Sequence, residues 1–296
     1  MTYEKSGVIV INKPQQMTSH DVVAIVRRTL KTKKVGHTGT LDPMATGVLP
    51  VCLGKATKIV DFLTDRKKAY RCEMRLGSAT DTQDVWGRVT DEGDTTALTE
   101  ALIRTAVESF IGEIDQIPPM FSALKVGGRK LVDLAREGIE IEREPRKRFI
   151  YAIENLSIDG ECLSFTVTCS KGTYVRTLCH DIGLKLGCYG HMTSLERILS
   201  EPFTLDMAVD VEQLSPELVA ERLIPIETAL DWMPKIILPT QFQLMKDVSN
   251  GVSTDFSAYC DNLQQAEFYR IYFGETFYGI AERREQGIFM KKLMIG

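Results

Sequence analysis

AYRCEMRLG (residues 69–77) alternates without a break: Tyr70, Cys72, Met74 and Leu76 fall on one face, Arg71, Glu73 and Arg75 on the other. A period of two with one apolar side is the pattern of a half-buried β-strand. The pattern returns in ECLSFTVTCS (161–170), where Leu163, Phe165, Val167 and Cys169 alternate with Ser164, Thr166 and Thr168. Asp159-Gly160 just before it is turn chemistry, so 148–156 and 161–170 read as an antiparallel hairpin. Toward the N-terminus, GVIVIN (7–12) is a short apolar strand stopped by Lys13-Pro14. Thr18 or Ser19 can cap a helix that turns Val22, Val23, Ile25, Val26 and Leu30 inward.

Residues 99–111 predict an amphipathic helix with Leu102, Ile103, Val107, Phe110 and Ile111 on its apolar side. A short helix near 129–137 ends at Gly138, another follows Lys171-Gly172-Thr173 and ends near Gly187, and a third lies near 211–221. Past Pro234 come KIILP, FYRIYF, TFYGIAE and FMKKLMI, short strands between turns. Strands and helices interleave without a βαβ rhythm. The expectation is an α+β fold, a largely antiparallel mixed sheet flanked by helices, with a small β-rich C-terminal domain. The boundary falls near 230–236: residues 1–232 form the large domain, carrying an insertion at 120–150, and 233–296 the small one.

With 296 residues, 44% hydrophobic and 26% charged, the chain can bury a core without metals or disulfides. No apolar run approaches the roughly 20 residues needed to cross a bilayer. MTYEKSGVIVINKP is neither a signal nor a transit peptide, and a cytoplasmic location is expected. Seven cysteines (Cys52, Cys72, Cys162, Cys169, Cys179, Cys188, Cys260) without a C-x-x-C read as free thiols. His20, His37, His180 and His191 have no metal-ligand spacing, so no metal is expected.

The net charge of -4 argues at first against nucleic acid, but its distribution does not. Residues 1–75 hold 14 Lys/Arg against 6 Asp/Glu, and residues 125–150 hold 8 against 5, while 76–124 and 201–296 are acidic. A localised basic surface binds phosphates whatever the total charge. Arg27, Arg28, Lys31, Lys33, Lys34, Arg66, Lys67, Lys68, Arg146, Lys147 and Arg148 are its candidates, although charge alone also describes ordinary solvated faces.

Three segments carry chemistry. GHTGTLDPMATG (36–47) presents Asp42 between glycine-containing turns and before a rigidifying proline. That suits a fixed, ionised carboxylate, and equally an ordinary Asx turn. Tyr70 follows Arg66-Lys67-Lys68, an aromatic beside cations, suited to base stacking or simply to the core. KGTYVR (171–176) puts Arg176 in the first turn of a helix, where the dipole disfavours a cation unless it has an anionic partner. Walker-type, dinucleotide-binding and nucleophile-elbow motifs are absent from the sequence, which removes ATP, NAD and serine-hydrolase readings.

Taken together, VINKPQQMTSHDVV, KVGHTGTLDPMATGVLPVCLGKATK, KAYRCEMRLGSATDTQD, PPMFSALKVGGRKLVDLAREG and CSKGTYVRTLCHDIG resemble the tRNA pseudouridine-55 synthases, the TruB-type family, over most of residues 6–200. The resemblance implies isomerisation of a T-loop uridine in tRNA after base flipping; such a reaction changes no oxidation state and loses no group, so no cofactor is expected, and the chain is expected to act as a monomer. It implies that Asp42 is the essential aspartate, Tyr70 the tyrosine that packs on the base and helps move its C5 proton, and Arg176 the arginine paired with Asp42. His37 would hold the opened RNA loop, Lys13 support the active-site loop, and Leu195 line the pocket, with Gly39 and Thr40 beside the substrate. The C-terminal domain resembles a PUA-like RNA-binding domain only weakly. Two positions depart from the family pattern: Leu195-Glu196-Arg197 where L-R-R is common, and Phe121 where a tyrosine is common. The rival readings are a non-catalytic RNA-binding protein or tRNA folding chaperone, and a carboxylate-dependent hydrolase, which would want a second catalytic carboxylate.

Overall fold

The alternating segment lies in the middle of the main sheet. The computed structural model describes residues 5–259 and 265–295; Cys260 lies outside them. Across the ten-stranded sheet the strands run Val209–Asp210, Gly7–Lys13, Thr46–Leu53, Gly190–Ser200, Lys68–Leu76, Cys162–Cys169, Arg146–Asp159, Gly112–Gln116, with Val35–His37 and Phe203–Thr204 paired beside this path. Two pairings are parallel: Gly7–Lys13 with Val209–Asp210, and Gly190–Ser200 with Thr46–Leu53. The other pairings in this sheet are antiparallel, as the hairpin at Gly160 required.

The period of two works as its chemistry demands. Tyr70, Cys72, Met74 and Leu76 share one core with Leu163, Phe165 and Val167, and Arg71, Glu73 and Arg75 face water. Helix Val175–Leu186 covers that core with Leu178, Cys179 and Ile182, and Cys179 Sγ comes within 3.5 Å of Cys72 Sγ. Its approach to the sheet is permitted by Gly183, where a Cβ would stand 2.1 Å from Gly190 N and 2.2 Å from the carbonyl carbon of Tyr189. Helix Ser19–Leu30 starts on a capping box: Thr18 accepts from Asp21 N at 3.1 Å, and the Asp21 carboxylate accepts from Thr18 N at 2.9 Å.

Helix Glu100–Glu108 is shorter than its apolar pattern suggested. Ile103 and Val107 are buried, but Leu102 and Ile111 face solvent. Leu102 is one position, about 100° of arc, from Ile103. Ile111 lies past the end of the helix and is free of its periodicity. Residues 117–145 leave the sheet between Gly112–Gln116 and Arg146–Asp159, carrying a two-residue hairpin and helix Leu131–Arg136.

A second sheet runs Lys235–Leu238, Phe268–Phe273, Thr276–Arg284, Gly287–Leu293 around Ile236, Phe256, Tyr269 and Ile271. It rests on the first through Ile280 and Met294, which join Val8, Val48 and Ile59 in one core, and through an edge-on Phe62–Phe268 contact at 5.0 Å. Among the described residues no helix is long and apolar enough to cross a membrane, and six cysteines are free.

Replacing Gly183 by alanine forces helix Val175–Leu186 off the sheet. A destabilisation of about 2–3 kcal/mol is expected, read as a fall in melting temperature of roughly 5 °C or more by circular dichroism. An unchanged melting curve would show that the helix–sheet approach has slack.

Candidate active site

Asp42 is delivered by a loop pinned at both sides. Ser19, fully buried, accepts from Leu41 N at 2.9 Å; Ala45 N donates to Asp42 O at 3.0 Å and Gln16 N to Pro43 O at 2.8 Å. Leu41, Met44 and Ala45 go into the core, which leaves the carboxylate between them pointing out, with 36% of its side chain exposed. The turn is closed by backbone bonds, with no Asx bond to the Asp42 side chain among the described residues, so the carboxylate projects from it.

Arg176 meets it. Nη2 lies 3.2 Å from Asp42 Oδ2 and donates to Phe121 O at 2.7 Å, and Nη1 lies 3.8 Å from Asp84 Oδ2. The guanidinium is 4% exposed, so two carboxylates offset both its desolvation and the adverse helix dipole. Asp84 is itself held, accepting from Thr82 Oγ1 at 2.8 Å and from Trp86 N at 3.0 Å. Gln116 clamps the start of the helix through both Tyr174 N (2.8 Å) and Tyr174 O (3.0 Å). Phe121 reaches Arg176 with its backbone, so the departure from tyrosine at that position does not touch this bond.

Tyr70 stands between Val167 and Arg197 on neighbouring strands and is 9% exposed. Burial pushes its phenol up from the ordinary range, and the charge of Arg197 works against that shift. Leu195 faces Cys72 across the adjacent pairing and is 8% exposed. His37 packs edge-on against His20 at 5.3 Å, and its Nδ1 accepts from Gly39 N at 3.3 Å. Burial, then the charges of His20 and Arg197, bring its imidazole down to about 4. Gly39 is half-buried and Thr40 exposed on the same loop. Lys13 is wholly buried; its Nζ donates to Pro14 O (2.9 Å) and Met17 O (2.7 Å), and burial lowers it to about 8. It braces the chain beneath the loop and offers nothing to solvent.

The basic candidates divide. Arg27, Arg28, Lys31, Lys33 and Lys34 are exposed around the end of helix Ser19–Leu30, Arg27 also bonding Val35 O at 2.8 Å. Arg146 and Lys147 are exposed, Lys147 paired with Glu113 at 2.7 Å, and Arg148 donates to Gly172 O at 2.9 Å. Lys67 is exposed, its ammonium 4.2 Å from the Tyr151 ring. Arg66 is engaged by Glu201 (2.7 Å) and by the Trp232 ring (4.2 Å). Lys68 must be corrected. It is 5% exposed, donates to the carbonyls of Thr64 and Arg66, and is brought down to about 8 by burial, so it caps a turn and does not face a phosphate.

Two residues at this site escaped the sequence reading. Asp84 lies in the polar stretch TDTQDVWG (80–87), which reads locally as turn sequence. Arg197 appeared only as the matching third residue of Leu195-Glu196-Arg197, where Glu196 is the departure from L-R-R, although it shares a face with buried Leu195, while Ser194 and Glu196 take the other. A charge on the apolar side of a strand was the available signal. Among the described residues no group of three or more His, Cys, Asp or Glu could hold a metal ion.

Known proteins share this arrangement of chain. Residues 27–175 match the family described as TruB family pseudouridylate synthase (N terminal domain), and residues 176–242 the tRNA pseudouridylate synthase B C-terminal domain. The tRNA pseudouridine synthase B of Clostridium perfringens (strain ATCC 13124) is 49% identical over 293 residues, 98% of this chain and 99% of that protein. The protein of the same description from Clostridium tetani is 44% identical over 290 residues, 98% of this chain and 100% of that one. A solved Cbf5–Nop10–Gar1 complex superposes with a TM-score of 0.75 at 29% identity, covering 98% of this chain and 85% of that chain. With both family models matched in order and near half identity along almost its whole length, the chain belongs to the TruB family of pseudouridylate synthases, which are isomerases.

Proposed function

We propose that this enzyme isomerises uridine 55 in the T-loop of tRNA, acting on a base flipped out of the RNA, with Asp42 as the essential carboxylate. The observation that carries this reading is the Asp42–Arg176 pair, 3.2 Å apart, with the arginine buried and the aspartate open to solvent. The relatives' names supply the tRNA, and the geometry supplies the chemistry a uridine needs.

The reaction breaks N1–C1′, turns the uracil and joins C5 to C1′; no atom is gained overall and no electron is transferred. Asp42 acts as a carboxylate, by attack at C6, by attack at C1′, or by taking a proton on a glycal route. Each route starts from the carboxylate, whose Oδ2 lies 3.2 Å from the Arg176 guanidinium. Tyr70 lies against the base and its oxygen takes part in moving the C5 proton. Leu195 lines the pocket, and Gly39, Thr40 and His37 meet the RNA loop. Flipping costs a few kcal/mol, offset by stacking and hydrogen bonds in the pocket. The cations at 27–34 and Lys67, Arg146, Lys147 and Arg148 hold phosphates, with residues 120–150 as an RNA-binding insertion of a 1–232 catalytic domain.

Incubating the protein with an unmodified tRNA transcript and mapping pseudouridine by chemical labelling tests the reading directly. Asp42→Asn is expected to lose turnover by about 10⁴-fold or more while keeping RNA affinity. A labelled product elsewhere than the T-loop, or an active Asp42→Asn, would overturn it. Raising salt from 50 to 200 mM should weaken binding about a hundredfold if roughly four phosphates are neutralised; a flat response would count against the basic face. His37 gives a pH prediction. Its folded value near 4 lies below the ordinary 6.5, so the unfolded chain binds more protons between these values. Its contribution to stability is complete above about pH 6.5 and is lost as pH falls toward 4. Melting temperatures from pH 7 to pH 4.5 should therefore fall less in His37→Asn than in the native chain, and equal slopes would refute the assignment.

A further inference from the structure

The turn that carries Asp84 also carries an uncovered tryptophan. Asp81 and Arg88 close it: Asp81 N donates to Arg88 O at 3.0 Å, and Arg88 N to Asp81 Oδ1 at 2.9 Å. Within it, Thr80 Oγ1 donates to Asp84 O at 2.7 Å and Trp86 N to Asp84 Oδ1 at 3.0 Å. Gly87 permits the tight path, since a Cβ there would stand 2.3 Å from Thr82 Oγ1 and 2.5 Å from Asp81 Oδ1. The turn is also fastened from below. Val85 N donates to Met192 O at 2.8 Å, Met192 N to Gln83 O at 3.1 Å, and Thr177 Oγ1 to Gln83 Oε1 at 2.7 Å. Thr177 follows Arg176, and Asp84 Oδ2 lies 3.8 Å from Arg176 Nη1, so the turn is a rigid neighbour of the Asp42–Arg176 pair.

On this fixed support Trp86 is 52% exposed, and its neighbours Val85 and Val89 are exposed as well. The other tryptophan of the chain, Trp232, lies under the Arg66 guanidinium at 4.2 Å. Among the described residues no ring or cation stacks on Trp86. Apolar side chains left together in water mark a contact surface, and an indole on a rigid turn loses little conformational entropy when something packs on it. Charge narrows the choice of occupant. Asp81, Asp91 and Glu92 are exposed in the same stretch against Arg88 alone, which disfavours a phosphate. The π-face of an unpaired base carries no formal charge and stacks on any aromatic ring. Flipping one nucleotide out of an RNA loop leaves its neighbours short of a stacking partner.

We infer that Trp86 is a stacking site for an unpaired tRNA base flanking the target uridine, a contact made by the face of the indole and not by a charge. It replaces the stack that the flanking base loses when the uridine leaves the loop. Its contribution is affinity for the opened RNA, and it takes no part in making or breaking bonds. The inference rests on the reading of the Asp42–Arg176 pair as the active site.

Binding is measured on unmodified tRNA transcript with Asp42→Asn as the parent protein, so that the RNA is not converted. In that background Trp86→Ala is expected to raise the Kd about tenfold, the value of one base stacked on an aromatic, and Trp86→Phe less than about threefold. The slope of log Kd against log salt should stay unchanged in Trp86→Ala, whereas Lys67→Ala should lower it by about one. Tryptophan emission should fall when the parent protein binds RNA, and Trp86→Phe should abolish that fall. Single abasic nucleotides are then placed at the unpaired positions around the mapped pseudouridine. At one of them Trp86→Ala should cost less than about twofold more, because the base it stacks on is gone. A Kd within about twofold of the parent in Trp86→Ala, emission that RNA leaves unchanged, or the full tenfold loss at every abasic position would overturn the inference. So would a change in the sedimentation of the RNA-free protein in Trp86→Ala with its Kd unaltered, which would make the patch a contact between copies. If Trp86→Ala melts below the assay temperature, Trp86→Leu, apolar but without a ring, carries the same comparison. Pseudouridine mapped outside the T-loop, or an active Asp42→Asn, would sink the active-site reading. Correct mapping with no effect at Trp86 would sink only the stacking site.

Discussion

A single buried guanidinium organises the site. Arg176 faces Asp42 at 3.2 Å, Asp84 at 3.8 Å and the carbonyl of Phe121 at 2.7 Å. These partners come from three stretches far apart in sequence, and none of them is near residue 176. An arginine taken out of water without partners costs several kcal/mol. The loops around it are therefore stable only when the sheet has brought the acceptors together. The same cost makes the arrangement specific, since any register that misplaces Asp42 or Asp84 leaves a bare charge inside.

Three further cations follow the same rule with different acceptors. Lys13 is satisfied by the carbonyls of Pro14 and Met17, Lys68 by those of Thr64 and Arg66, and Arg197 by those of Val48 and Gly39. Each ties down the carbonyls of a turn or strand end that would otherwise be buried and unpaired. Part of the positive charge counted in the N-terminal quarter is thus structural, while the cations at the end of helix Ser19–Leu30 and at Arg146 and Lys147 remain in water. Around one solvent-facing carboxylate the interior is rich in fixed positive charge and hydrogen-bond donors. Such a setting is oriented before any substrate arrives and needs no rearrangement to stabilise negative charge.

The alternation of 69–77 and 161–170, the cap at Thr18 and the stops at Gly138 and Gly187 were legible because each is a local rule: pleat, capping box, left-handed residue after a helix. The Asp42 turn was legible as a presented side chain for the same reason. Periodicity misplaced Leu102 and Ile111 because the helix is shorter than its pattern. Composition misplaced Lys68 because it counts charges without saying which are in water.

By itself the sequence determined the strands at 69–77 and 161–170, the helix capped at Thr18 and the presentation of Asp42, since those properties are written in neighbours two to four residues apart, while the resemblance of five segments to one family put Asp42, Tyr70 and Arg176 together. The tertiary structure alone decided that Asp84 and Phe121 would share Arg176, that Arg197 would bridge Val48 and Gly39, and that Lys13 and Lys68 would turn inward. The physical reason is that a charge's partners and its exposure depend on which distant strands pair and in what register, and no local pattern encodes that.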